Sequence, residues 1–473
     1  MNRMCRLFLI AVSAVTSLST SAQTGVAISL DDVLKSTLKH HPRVAQALSQ
    51  QQQAQAKQLQ SQGVFDWQVD QNSFVRTGGF FDGAILDQSV SKALPFANAK
   101  VSAGYRISDG EFPIYENINN TLAGGETYIK ASLSLLKDRE IDKNRADIIN
   151  ADFDADIAQE QQKLILNDLL LNATLQYLEW KRVSERKVIL EKLLALAETR
   201  LEGIEKQVKA GEIAQISITE YQVTLLQRKA ELLANKQVLQ KHTIGLSMFL
   251  RDNEGKPKSL PENAYASYKL AGPLSKHPEK LDLLNTLKAH PQLVKLEQEI
   301  NQIRAKLQLN ENSVLPKLDV SVLLANDIGG RGDRSGTLEG VESYVSVDFS
   351  LPIGQRVAKG KAAQTKAKLL EVQAKKQETL ESIDIQLNQA FTALTNLTQL
   401  RDIREAQANV AERLMKEEQN RFDAGASDLF ILNARETNFT RAQMAALNAN
   451  IELQIQHFVI LAGSATLHER VLM

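Results

Sequence analysis

Few of the reactive side chains in this sequence are arranged for covalent or metal chemistry. The seven histidines, His40, His41, His242, His277, His290, His457 and His468, are scattered without metal-ligand spacing. A Gly-x-Ser-x-Gly turn, a phosphate-cradling glycine loop and a cysteine nucleophile are all missing. Glu417 and Glu418 are paired carboxylates, but they lie on a stretch that reads as a solvated helix face. The sequence therefore predicts no enzyme, no metal and no cofactor. What remains are two short turn segments, Lys209-Ala210-Gly211-Glu212 and Arg421-Phe422-Asp423-Ala424-Gly425, with Asp428 just beyond the second. Glycine at such points ends a helix in the left-handed conformation, where the missing Cβ removes a steric penalty. Asp428 is placed to cap the N-terminus of a following helix.

The elements that carry these turns follow from composition. Of 473 residues only 10 are proline and 5% aromatic, while Leu, Ala, Gln, Glu and Lys abound, which favours long helices over several compact cores. Lys+Arg and Asp+Glu both number 56, so no basic surplus attracts nucleic acid. Past the N-terminus no apolar run approaches the ~18–20 residues of a spanning helix, which excludes a multi-helix membrane protein. Arg3 and Arg6, the apolar stretch Leu7 to Val15, and Thr20-Ser21-Ala22 before Gln23 read as a secretory signal peptide over 1–22. Its removal takes two basic residues and the one cysteine, Cys5, leaving a charge of −2 and neither thiol nor disulfide. Cys5 precedes the apolar stretch, the wrong place for a lipid-attachment residue.

The chain also repeats itself. Leu34 to Pro42 matches Leu284 to Pro291, Ser134-Leu135-Leu136 matches Ser350-Leu351-Pro352, and Lys209-Ala210-Gly211 matches Asp423-Ala424-Gly425. The offset between the first two landmarks shrinks by 33, so the first half carries that many extra residues, within Phe80–Gly125. Each half reads as helix, strand, loop, strand, very long helix, turn, helix. The first repeat spans 23–250, with an opening helix at 28–62, strands at 64–77 and 126–136, and a long helix pair over 138–250. An equatorial linker covers 251–280. The second repeat spans 281–463, with an opening helix at 281–313, strands at 317–327 and 341–351, and a helix pair over 354–462; a tail, 464–473, follows. The strands show period-two alternation, as in Ile129-Lys130-Ala131-Ser132-Leu133 and Val345-Ser346-Val347-Asp348-Phe349. Phe65, Trp67 and Tyr128 are expected on their lipid-facing or interfacial side. Val101 to Ile107 also alternates, so the segment 80–125 is either an added hairpin or a loop decoration. Arg331-Gly332-Asp333, in a Gly-rich loop, reads as a chance triplet.

Glycine-poor, proline-free stretches from Arg139 to Gly211 and from Arg356 to Gly425 predict helices roughly 100 Å long at ~1.5 Å per residue. Leu164, Leu166, Leu169, Leu170, Leu175 and Leu178 give the first of them a packing seam. Four strands of bilayer length cannot close a barrel, and open sheet edges are not tolerated in lipid. Identical chains must then complete the wall, as a closed ring.

The signal peptide, the duplicated order and a set of motifs resemble the TolC-type outer-membrane efflux proteins. The motifs are Leu30-Asp31-Asp32-Val33-Leu34 with His41-Pro42, Leu315-Pro316 with Leu318-Asp319-Val320, Phe349-Ser350-Leu351-Pro352-Ile353-Gly354, and Arg421-Phe422-Asp423-Ala424-Gly425. The resemblance spans nearly the whole mature chain. It implies a mainly α protomer with a small β part, and a homotrimer whose 12-stranded barrel continues into a periplasmic α-helical tunnel. It implies a passive conduit in the Gram-negative outer membrane, fed by a periplasmic membrane-fusion adaptor and an inner-membrane transporter of RND or ABC type. It places Gly211, Asp423, Gly425 and Asp428 at the aperture, and Lys209, Glu212 and Arg421 at the adaptor. Gln207 and Gln419 join these as solvent-facing neighbours. The family's acidic aperture position falls at Ile431, and its first-half counterpart is Ser217, so Asp428 stands as either ring carboxylate or helix cap. The rival to a conduit is a soluble periplasmic coiled-coil scaffold.

Overall fold

The computed structural model describes residues 25–113, 116, 120–261, 263–267, 287–330 and 340–472. The predicted leader 1–22, the end of the linker (268–280, with His277), the start of the second opening helix (281–286) and the Arg331-Gly332-Asp333 triplet lie outside the described residues.

In chain order the elements are β1 (Ala27–Ile28), α1 (Leu30–His40), α2 (Pro42–Gln62), β2 (Gln68–Val75), β3 (Gly83–Ala93), β4 (Lys100–Gly110), β5 (Glu126–Ser134), α3 (Lys143–Lys209), α4 (Ile216–Leu246) and β6 (Tyr265–Ala266). Then follow α5 (Pro291–Asn312), β7 (Lys317–Asp327), β8 (Val341–Ser350), α6 (Arg356–Asp423), α7 (Leu429–Gly463) and α8 (Leu467–Leu472). The opening helix is two helices. Pro42 disfavours helical geometry at the residue before it, so α1 stops and His41 stays extended. The His41 side chain then caps α2, its Nδ1 accepting the Arg43 N–H at 3.1 Å. His290 repeats the device on α5, accepting from the Gln292 N–H at 3.2 Å. The segment read as a tail turns back at Ala465, and Leu467 carries α8 into the core.

The long helices α3 and α6 have 67 and 68 residues. Along α3 lie α2 and α4, and along α6 lie α5 and α7, so two shorter helices in series cover each long one. Their densest packing is a waist. Leu30, Leu34, Leu170, Tyr177, Trp180, Leu246, Phe458 and Leu467 are buried together there. Burial of each such apolar side chain contributes about 1.5–3 kcal/mol. The Tyr177 hydroxyl donates to the Ile28 carbonyl at 3.0 Å, tying the parallel β1–β6 pair to the long helix.

At the other end stands one antiparallel sheet of six strands, in the order β2-β3-β4-β5-β7-β8. Alternation predicts four strands in each chain, the number that the twelve strands implied by the resemblance require of three chains, and the sheet has six. The added two, β3 and β4, occupy the segment 80–125. Adjacent apolar residues, Ala84-Ile85-Leu86, blur the alternation of β3 in the sequence. The β3–β4 turn holds Ala97 and Asn98 at positive φ, 49° and 48°, a conformation whose twist suits a tight hairpin. Directly opposed residues share a face of an antiparallel sheet. One row across all six strands reads Val69, Val90, Ala103, Ile129, Leu324 and Ser343. A row on the opposite face reads Asn72, Asp87, Arg106, Glu126 and Asp327.

Burial holds the His41 and His290 imidazoles below the ordinary value of 6.5, with Arg251 and Arg43 adding repulsion at His41. The unfolded chain then takes up protons before the folded one does. Stability is fully present above about pH 6.5 and is lost as pH falls toward the lowered folded value. Protonation at Nδ1 also removes the acceptor that caps each helix, about 1 kcal/mol per cap. Hydrogen exchange in the first turns of α2 and α5 is expected to accelerate between about pH 7 and pH 5 beyond its intrinsic pH trend. A His41→Asn, His290→Asn variant, which keeps a capping oxygen and cannot titrate, should show no such excess.

Candidate functional site

No cluster of His, Cys, Asp and Glu able to hold a metal ion exists among the described residues. Two surfaces carry the candidate site residues: the faces of the sheet and the paired helix tips.

The sheet faces differ in kind. One carries Val69, Leu86, Val90, Ile129, Val322, Leu324, Val345, Val347 and Phe349, all exposed to solvent in the single chain. The other carries Asp70, Asp87, Arg106, Glu126, Lys130, Asp319, Glu342 and Asp348 by the same registers. On this polar face Arg106 pairs with Glu126, and the Tyr128 hydroxyl donates to Asp87 Oδ1 at 2.9 Å. Tyr128 reaches Asp87 by lying across Gly104 of the intervening strand. A Cβ built at Gly104 would come within 2.4 Å of the Tyr128 ring, so glycine makes the crossing possible. Tyr128 thus corrects the expectation of a lipid-side aromatic, since its parity is that of Glu126 and Lys130. Trp67, just ahead of β2, is exposed in the single chain, with the Lys92 ammonium 5.1 Å from its ring centre. Phe65 falls in a 3-10 turn between α2 and β2, outside any strand.

The helix tips are built alike. Gly211 and Gly425 have φ of 77° and 73°. At the first tip the Gly211 N–H donates to Val208 and the Glu212 N–H to Gln207, both at 3.0 Å. At the second, the Gly425 N–H donates to Phe422 at 2.9 Å and the Ala426 N–H to Arg421 at 2.8 Å. These are paired Schellman closures that satisfy the last carbonyls of α3 and α6. Lys209, Glu212, Arg421, Asp423 and Asp428 are all exposed around them. Arg421 donates to the Ala426 carbonyl at 3.3 Å, and Asp423 Oδ1 accepts from Gln419 at 2.7 Å. Gln207 and Gln419 are half-buried rather than solvent-facing, and Gln419 also accepts from Arg200. Asp428 caps α7, its Oδ1 accepting the Ile431 N–H at 2.8 Å.

A buried charge cluster lies close behind the tips. The Glu436 carboxylate is 1% exposed and receives two guanidiniums, Arg200 at 2.5 Å and Arg228 at 2.9 Å. It ties α7 to both helices of the first pair, α3 and α4. Nearer the turn, Glu418 accepts from the Ser427 hydroxyl at 2.6 Å with Arg421 and Arg435 close by, joining α6 to the start of α7. Tyr221, Leu225 and Ile204 pack beside the first cluster, with Leu429 from the other helix pair. Burial raises the Tyr221 hydroxyl above its ordinary range. Sequence alone did not single out Glu436 or Arg228, because scattered charges on amphipathic helices look alike until the packing partner is known. Both tips of one chain are thereby locked together.

Removing the carboxylate leaves two cations in a dry site, a loss of about 3–5 kcal/mol for a broken buried ion pair. Glu436→Ala should therefore loosen both tips, read as faster hydrogen exchange in α4 and in the first turns of α7. Replacing Arg200, Arg228 and Glu436 together by Met should restore most of the protection. If protection stays lost in the triple variant, packing and not charge compensation holds the tips.

No family model and no curated protein matches the chain in sequence. Solved structures match it along most of its length. The Campylobacter jejuni CmeC outer membrane channel superposes with a TM-score of 0.65 at 14% identity, covering 92% of this chain and 85% of that one. The Vibrio cholerae outer membrane protein VceC also gives 0.65 at 14% identity, covering 92% and 96%. The open-state Neisseria gonorrhoeae MtrE outer membrane channel gives 0.65 at 13%, covering 92% and 88%. At such identities the likeness is one of fold. The mainly helical protomer with its small antiparallel sheet has the fold of the TolC-like outer membrane channels.

Proposed function

We propose that this chain is the outer-membrane conduit of a tripartite export system. The observation that carries the proposal is the two-faced sheet, with strands of 8–11 residues, an exposed apolar face and two unpaired edges. That length is what a tilted strand needs to cross a bilayer. The apolar face meets lipid, the polar face lines water, and β2 of one copy pairs with β8 of the next until the ring closes as a homotrimer. The similarity to outer membrane channels and the leader-like N-terminus support an outer-membrane location, with α3 and α6 forming a periplasmic tunnel. A soluble coiled-coil scaffold gains nothing from an exposed apolar sheet of bilayer length, and that face would promote its aggregation.

The tips close the tunnel and meet the adaptor, with Lys209, Glu212 and Arg421 as contact residues. An RND- or ABC-type transporter supplies the substrate and the energy, and the tips open by an iris-like separation of the helix pairs. The geometry supports this reading through its charge locks, which join the two tips of one chain at one level. The polarity of the channel wall suits hydrated cargo.

Two outcomes follow. The mature protein should extract in detergent as heat-resistant trimers and give single-channel currents in planar bilayers; a freely soluble monomer in detergent-free buffer would sink the conduit. Asp428→Asn keeps the cap of α7, because asparagine caps as well as aspartate does. It removes three carboxylates per trimer from the aperture, so block by trivalent cations should weaken. Unchanged block would confine Asp428 to capping.

A further inference from the structure

The added hairpin lies in the middle of the sheet. β3 is paired to β2 from Ala84 to Ser91 and to β4 along its full length, and β4 is paired to β5 from Lys100 to Arg106. An appendage outside the wall would leave β2 and β5 paired to each other, and they are not. Both faces continue through it. Leu86, Val90, Ala103 and Ile107 share the apolar face, while Asp87, Ser89, Ser102 and Arg106 share the polar one. Both strands are 11 residues long, the same as β7. Two inserted strands also preserve the antiparallel alternation. β2 and β8 still run in opposite directions at the two edges and can pair between copies. Tyr128–Asp87 and Arg106–Glu126 fasten the insertion to β5 from the polar side.

We propose that each copy contributes six strands to the transmembrane wall, so that three copies close an 18-stranded barrel. This rests on the trimeric channel reading above. Barrel diameter grows roughly linearly with strand number, so the bore is about 1.5 times that of a ring built from four-stranded copies. With strands ~4.8 Å apart and tilted ~40°, the backbone cylinder measures about 36 Å rather than about 24 Å across. The inner surface that the hairpin adds is hydroxylated and of mixed charge. The membrane section therefore admits bulky hydrated solutes or an extended polypeptide without being the narrowest part of the path. Size selection falls to the helical tunnel and its tips.

Engineered cysteine pairs test this in the full chain, whose one cysteine, Cys5, lies in the segment read as a leader. Val69→Cys with Val90→Cys, and Ala103→Cys with Ile129→Cys, place thiols directly opposite on neighbouring strands. Both pairs should crosslink within one chain under mild oxidation of trimers in membranes, read by mass spectrometry of the linked peptides. Val69→Cys with Ile129→Cys should not, since three strand spacings, about 14 Å, separate them. Crosslinking of that last pair would overturn the six-strand wall. A variant lacking residues 78–123 joins β2 to β5 through a short glycine turn. In its trimers the largest polyethylene glycol that enters from the outer side should fall in radius by about a third. An unchanged cut-off would also overturn the proposal. If wild-type protein forms neither trimers nor currents, the channel reading fails, whatever the crosslinks show.

Discussion

On the conduit reading, the sheet answers to one need: each backbone N–H and C=O in a hydrocarbon layer must find a protein partner. An open sheet leaves two rows of such groups, along β2 and β8. Each unpaired group in lipid costs several kcal/mol, so a chain that places this sheet in a membrane is incomplete alone. The remedy lies in the sheet itself. Its edges run antiparallel, and its faces keep their parity from Val69 on β2 to Ser343 on β8. Copies can therefore join without exchanging the oily side for the wet one.

The helices solve a different problem. Helices of 67 and 68 residues cannot fold back on themselves, and one amphipathic seam must be covered over its whole length. Duplication supplies two short helices for each long one, meeting end to end near the waist where the buried cluster is richest. The His-Pro junctions are part of that economy. Histidine caps the helix that proline opens in both halves, and in the first half proline also stops the helix before it. Neutral imidazole is needed for this role, and burial keeps it neutral.

At the far end, where apolar packing thins, charge takes over. Glu436 joins two helices of the first pair to one of the second, and Glu418 closes the second turn from within. A buried ion pair contributes little net stability over a well-packed apolar alternative, but it strongly penalises partial separation. Such a joint resists separation of the two tips.

How much of this was legible beforehand depends on the range of the interactions concerned. The long helices, their glycine ends, the duplication and most strands came from periodicity and from glycine and proline chemistry, which act over a few residues. The fold family was legible too, because its short motifs recur in a set order. The strand count was not. β3 carries Ala84-Ile85-Leu86 in sequence, and only pairing with both β2 and β4 reveals which of these lie on the apolar face of the sheet. Tyr128 likewise looked like a lipid-side aromatic until register set it beside Asp87, two strands away, over Gly104. Glu436 became more than a surface charge only when Arg200 and Arg228 closed on it from helices more than 200 residues distant in the chain. Local propensity is written along the sequence; face, partner and burial belong to the packed chain, because each depends on residues that meet only after folding.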